Sequence, residues 1–319
     1  MTLVGHEEAW REWRRAMAGD RMHHAWMLVG SKGTGKGLFA RAAAAELVAQ
    51  AGVSQPAWDH HPDILIPEHP PEKGEEKKAE AGDPDVKRKR SIPVEEVRAL
   101  QRRLTTRPTL GSRRAVIFDP ADDLERAASN ALLKSLEEPP VGTFFLLVTH
   151  RPARLLPTIR SRCRVLRFPA ISDAEMERIL ALEAPEADAA TRSAAIAAAG
   201  GSPGAALGFV DQDLAPLHRI MGRLVQEGDE HFALRGEFSA LIGARPDRER
   251  QLATLDLARA VLTGMLRVAS PAQQSRVIAA HAELSSLTAL VPTHNFDAGL
   301  LAMEIGGLLA SAAMPRETA

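Results

Sequence analysis

Ala25-Trp26-Met27-Leu28-Val29 runs straight into Gly30-Ser31-Lys32-Gly33-Thr34-Gly35-Lys36-Gly37, and residues 38–48 continue with helical spacing and strong helix formers. An unbroken apolar run of five, without polar alternation, predicts a strand buried on both faces of a parallel sheet. The glycines then allow a tight turn into the helix, followed by a lysine. That G-x-x-x-x-G-K spacing lets backbone N–H groups and an ammonium cradle phosphates at a helix N-terminus. One position departs from the pattern. The Ser or Thr whose hydroxyl would ligand Mg²⁺ is Gly37, which has no side chain. Gly30, Gly33, Gly35, Lys36 and Gly37 thus form a candidate nucleotide site that keeps its phosphate-binding parts and lacks its metal ligand. A strand-to-helix turn that binds nothing satisfies the same local pattern.

Further apolar runs lie at residues 64–66, 115–118 and 144–148, and a last one (Val165, Leu166, Phe168) precedes Pro169. Helical stripes fall between them: Val94, Val97, Leu100 and Leu104, then Leu124, Ala128, Ala131, Leu132 and Leu136. Strands alternating with helices predict an α/β domain whose ligands sit at the strand C-termini. Asp119 and Thr149 stand at two such ends. Asp119 is where a P-loop ATPase keeps its Mg²⁺-binding acid, but the next residue, the general base of an active enzyme, is Pro120. Proline neither accepts a proton nor binds a metal. Asp122 and Asp123 are expected to cap and charge the N-terminus of the helix that follows.

Composition narrows the function classes. The chain has 319 residues, 45% of them hydrophobic and 25% charged, the balance of an ordinary globular protein. Forty basic against forty-one acidic residues leave no global basic field for nucleic acid. Aromatics are 4% and tyrosine is absent, which argues against a base-stacking platform. The single cysteine, Cys163, supplies neither an internal disulfide nor a cysteine-rich zinc site. No apolar run reaches about 18 residues and the N-terminus lacks a signal-peptide core, so a cytoplasmic protein is expected. His23 and His24 have no third ligand in view and precede a buried strand, so structural roles are expected. Arg98, Arg102, Arg103 and Arg107 make a basic run on a helix that suits salt-dependent, sequence-blind contact with DNA phosphates.

Residues 71–90 break the pattern. They are poor in apolar residues and hold most of the lysines (Lys73, Lys77, Lys78, Lys87 and Lys89), so they read as a solvated, mobile loop. After Pro169 no further strand is predicted. Ser172 with Glu175 is a capping-box signature, Gly200-Gly201 a C-cap, and Ser202-Pro203 the start of a short helix. Residues 211–312 continue as about five amphipathic helices, with breaks near Gly228, Arg245-Pro246, Ser270-Pro271 and Pro292. The expected fold is α/β and then all-α.

Two stretches carry a resemblance. Asn130-Ala131-Leu132-Leu133-Lys134-Ser135-Leu136-Glu137-Glu138-Pro139-Pro140 reads as an amphipathic helix stopped by a diproline. Leu156-Pro157-Thr158-Ile159-Arg160-Ser161-Arg162-Cys163 follows. Together with the glycine turn and Thr149, in this order and spacing, they resemble the clamp-loader branch of the AAA+ ATPases. His61-Pro62-Asp63, followed by an insert and the helix at 93–100, is similar as well. Specific motifs extend through about residue 210; beyond it the likeness rests on length and helical content.

The resemblance implies an AAA+ domain at 1–169, a small helical lid at 170–210 and a helical oligomerisation collar at 211–319. It implies that Arg162 reaches as an arginine finger into a neighbouring subunit's ATP site, where a guanidinium stabilises charge on the γ-phosphoryl group. Thr149 falls on the sensor position. The phosphate-sensing arginine of the lid is replaced by Gly204 in Gly201-Ser202-Pro203-Gly204. With metal ligand, base and sensor all missing, the implied protein is a non-motor subunit of the DNA polymerase III holoenzyme without ATPase activity of its own. Its implied partners are motor subunits of the gamma/tau type, a delta subunit, the sliding clamp and primed DNA, with no membrane. It would need no cofactor and no zinc, and weak ATP or ADP binding is compatible with the cradle. The alternative is an active AAA+ ATPase, against which Gly37, Pro120 and Gly204 stand.

Overall fold

The apolar runs become the strands of one parallel sheet: β1 (Ala25–Val29), β2 (Ile64–Leu65), β3 (Arg114–Phe118), β4 (Thr143–Thr149) and β5 (Arg164–Arg167), in the order β2-β3-β4-β1-β5. The computed structural model describes residues 5–313 apart from residues 20, 84, 85, 292 and 293, so the break expected near Pro292 lies outside the described residues. Two compact units divide the chain, Met1–Ala170 and Ile171–Ala319.

In the first unit both faces of β1 to β4 are buried, whereas edge strand β5 buries only Leu166, and strand alternation decides which side chain goes where. Trp26, Leu28, Ile117, Leu146 and Val148 pack with Trp13 of α1 (Glu7–Ala18) and Phe39 of α2 (Lys36–Val48). Met27, Val116, Phe118, Phe145 and Leu147 face the other way. They meet Val97 and Leu100 of α4 (Val94–Leu104), Leu132 and Leu136 of α5 (Arg126–Glu137), and Ile159 of α6 (Pro157–Arg160). Register then brings functional ends together. Val29 lies beside Thr149, and Phe118 beside Leu147.

Local differences from the sequence reading have physical reasons. Ile66 leaves the strand because β2 pairs with β3 only through Ile64 and Leu65. Leu124 precedes the helix it was expected to join, because its segment bridges Ile92 instead. The insert is more than a solvated loop. The Glu72 N–H donates to Lys87 O at 2.8 Å and the Lys89 N–H to Pro70 O at 2.8 Å, closing a stem around the short helix α3 (Glu76–Glu80). None of the described residues from 71 to 90 is buried.

The second unit is helical among its described residues: α7 (Asp173–Glu183), α8 (Ala189–Ala199), α9 (Pro203–Asp211), α10 (Ala215–Glu227), α11 (Ala233–Ile242), α12 (Arg248–Leu266), α13 (Pro271–Leu290) and α14 (Ala298–Ser311). Ser172 and Glu175 close the expected capping box. Gly200 ends α8 at φ 56°, a left-handed conformation that glycine adopts at no steric cost. The Ser202 hydroxyl accepts from Ala205 N–H at the start of α9. Among the described residues no helix is long and apolar enough to cross a membrane.

Candidate functional site

The turn between β1 and α2 has the backbone that its glycines allow. Gly33 and Gly35 sit at φ 79° and 87°. Gly30 is required for a different reason. A Cβ there would lie 2.3 Å from Phe168 O, so β5 could not approach. His6 props the turn from below, donating from Nε2 to Thr34 O at 2.7 Å.

Lys36 is 2% exposed and folds back over the turn. Its Nζ donates to Gly30 O at 2.8 Å and also to Ser31 O. Burial pushes this ammonium down from 10.5 to about 8, against the opposing pull of Asp119 and Asp122. Two of its three donors thus go to carbonyls of its own loop.

The metal corner is filled by protein. Arg41, one helical turn beyond Gly37, donates from Nη1 to Asp119 Oδ2 at 2.7 Å. Its guanidinium also lies 5.1 Å over the Trp58 ring. A Cβ on residue 37 would come within 2.3 Å of Asp119 Oδ2 and 2.8 Å of Arg41 Nη1. The hydroxyl that would ligand Mg²⁺ is therefore missing, the space for it is taken, and the acid beside it is neutralised. Pro120 follows where the base would stand. These residues do not fit a bound Mg²⁺, and no hydrolytic step follows from them.

The end of β4 is tied to the same corner. The Thr149 hydroxyl donates to Asp122 Oδ1 at 2.6 Å, and the His150 N–H donates to Asp122 Oδ2 at 2.6 Å. This corrects the expectation that Asp122 and Asp123 cap the next helix. Asp122 serves the end of β4, and Asp123 accepts from His69 Nε2 at 3.1 Å. The reason is distance along the chain: a short 3₁₀ turn over Ala121–Asp123 intervenes, and α5 starts after Glu125 with no side-chain cap. Burial and the neighbouring Lys36 hold the His150 imidazole below its usual range.

Arg162 lies at the surface just after α6. Its Nη1 donates to Thr158 O at 2.9 Å, and its Nη2 lies 2.7 Å from Glu137 Oε1 at the end of α5. Cys163 packs beside it against the core, and burial pushes its thiol up to about 12. Arg164 pairs with Glu12 at 3.0 Å. His23 and His24 hold backbone: His23 Nδ1 bonds to Ala25, and His24 Nε2 donates to Leu136 O at 2.9 Å. No group of three or more His, Cys, Asp or Glu is arranged for a metal among the described residues. Arg98, Arg102 and Arg103 are exposed on α4, with Arg107 exposed just beyond its end. Gly204 is the second residue of α9.

The fold places Gly30, Gly33, Gly35, Lys36, Gly37, Asp119 and Thr149 at one end of the sheet and leaves Arg162 apart from them. The sequence did not point to Arg41, His6 or His150. Arg41 had a signal, since four residues after Gly37 place it on the same helical face. His6 and His150 had none beyond adjacency to named residues.

A five-stranded parallel sheet in this order, with a glycine turn between β1 and α2 and an acid, Asp119, just past the end of β3, defines a P-loop domain of the AAA+ type. The family described as DNA polymerase III, delta subunit, matches residues 5–172, just over half of the chain, and the chain belongs to that family. Within it the likeness is to delta-prime subunits. The DNA polymerase III subunit delta′ of Pseudomonas aeruginosa is 34% identical over 207 residues, 60% of this chain and 58% of that one. The Escherichia coli subunit delta′ is 39% identical over 127 residues, 40% of this chain and 38% of that one. The gamma/tau subunit of Mycobacterium bovis is 32% identical over 221 residues, 67% of this chain and 36% of that one. The chain thus spans less than two thirds of the length of each of these relatives.

Proposed function

We propose that this chain is a non-catalytic, delta-prime-like subunit of a clamp loader, helping to place a sliding clamp on primed DNA during replication. It would stand in a ring with gamma/tau-type motor subunits and a delta subunit in the cytoplasm. The lid would be residues 170–210 and the collar residues 211–319. Names of relatives support the replication role. The observation that carries the non-catalytic reading is the Arg41–Asp119 pair in the place of a metal. Weak nucleotide binding through Lys36 and the loop amides is compatible with this reading. Arg162, by contrast, keeps its guanidinium at the surface, where it would serve as a finger for a neighbour's γ-phosphoryl group.

The test is reconstitution with motor and delta subunits. Arg162→Ala should assemble normally, yet lower the ATPase stimulated by DNA and clamp, and lower clamp loading more. Lysine should rescue poorly, because a point charge lacks the planar fork of donors. Full ATPase and loading in the Ala complex would overturn the finger assignment. Hydrolysis by the isolated chain at about 1 s⁻¹ or faster would favour an active ATPase instead.

A further inference from the structure

The contact between Glu137 and Arg162 joins the two most distinctive stretches of the sequence, 25 residues apart. Glu137 is the last residue of α5 and Glu138 its C-cap, immediately before Pro139-Pro140. A helix C-terminus already carries partial negative charge, so two carboxylates there are unfavourable without a cation. Lys134 lies in the same last turn. The closer compensation comes from another segment: Arg162 Nη2, 2.7 Å from Glu137 Oε1. The approach is not accidental draping of long side chains. Leu136, next to Glu137, and Ile159, three residues before Arg162, are both buried in one apolar cluster, so a shared core fixes both backbones.

With Nη1 held by Thr158 O and Nη2 by Glu137, the guanidinium is kept in one orientation at the surface. Its side chain is 35% exposed and that of Glu137 49%, so the pair stays open to solvent and to exchange. Carboxylate and phosphate oxygens compete for the same planar donors. We infer that Glu137 is a positioning residue that parks Arg162 and must release it before the arginine engages an anionic phosphoryl oxygen of a neighbouring subunit's nucleotide. This rests on reading Arg162 as a finger. An exposed ion pair of this kind weakens the competing contact by about two- to five-fold.

The experiment uses the reconstituted complex with ATP as the titrant. The finger-dependent turnover is the part that Arg162→Ala removes. For that part, Glu137→Gln, which keeps the shape and removes the charge, should lower the apparent KM for ATP about two- to five-fold and leave kcat unchanged. The double variant Glu137→Gln with Arg162→Ala should match Arg162→Ala alone. An unchanged or raised KM in Glu137→Gln, with Arg162→Ala still defective, would overturn the parking role and leave the finger standing. If Arg162→Ala removes no turnover, the finger reading itself fails and the parking role fails with it.

Discussion

Arg41 Nη1 stands 2.7 Å from Asp119 Oδ2, directly against the bare Cα of Gly37. The three residues form one unit. Glycine at 37 leaves the room, arginine at 41 fills it, and the strand-end acid supplies the charge that holds it. The space beside Gly37 is thus filled by an ion pair rather than left as a gap.

That dependence predicts a strong coupling. Gly37→Thr should destabilise the protein by about 1–3 kcal/mol, because its Cβ would displace Asp119 Oδ2 and Arg41 Nη1. Adding Arg41→Ala frees the carboxylate to turn away and should recover much of the loss. A urea-denaturation double-mutant cycle should give a coupling of about 1 kcal/mol or more. Additivity within about 0.5 kcal/mol would show that the two side chains do not share the space.

Lys36 makes stability depend on alkaline pH. Burial holds its ammonium near about 8 rather than 10.5. Between these values the unfolded chain binds a proton that the folded site has released, so the Lys36 contribution rises with pH. Below pH 8 both states are protonated and the cost of burying the charge is constant. Lys36→Met has nothing to titrate. Wild type should therefore gain on that variant by about 2 kcal/mol between pH 7 and pH 9.5, read by denaturant unfolding at each pH. A difference that stays constant would place the lysine at its ordinary value.

The insert should be replaceable. Glu72 and Lys87 are already paired across the stem, and no described residue from 73 to 86 is buried. Exchanging residues 73–86 for Asn-Gly supplies a two-residue hairpin turn of matching twist. The melting temperature should move by less than about 2 °C. A larger fall would mean that the segment packs against the body of its unit.

The turn from β1 into α2 was legible because both of its signals are local: an unbroken apolar run, and glycines at fixed spacing before a lysine. The same holds for the caps at Ser172, Gly200 and Ser202. Asp122 was misread because an acid just before a helix is the local signature of a cap, whereas its actual partners arrive from β4, 27 residues away. The Arg41–Asp119 contact spans 78 residues and exists only because the sheet order sets β3 and β1 on either side of β4. Nothing within one turn of either residue encodes that order. The Glu137–Arg162 pair is hidden for the same reason, since its two segments meet only over a shared core.

Buried polar contacts account for His61-Pro62-Asp63, which the sequence alone leaves unexplained. Asp63 is fully buried and accepts from Thr109 N–H and Leu110 N–H, each at 2.8 Å, while Arg114 Nη2 lies 3.3 Å away. His61 Nδ1 accepts from the Asp63 N–H at 3.0 Å, fixing the turn that aims the carboxylate inward. Arg114, itself 4% exposed, donates to Arg103 O, Thr106 O and Arg107 O. The pair therefore clasps the C-terminal end of α4, the helix that displays Arg98, Arg102 and Arg103. Asp63→Ala strands the Arg114 charge in the interior and should cost about 3–5 kcal/mol in urea denaturation. Asp63→Asn keeps an acceptor for Thr109 and Leu110 and should cost roughly half as much. Amide exchange at residues 104–110 should accelerate in both variants ahead of the sheet, since these residues lose their anchor first. A loss below about 1 kcal/mol in Asp63→Ala would mean that the backbone carbonyls alone satisfy Arg114, and that the carboxylate is not what fixes the end of α4.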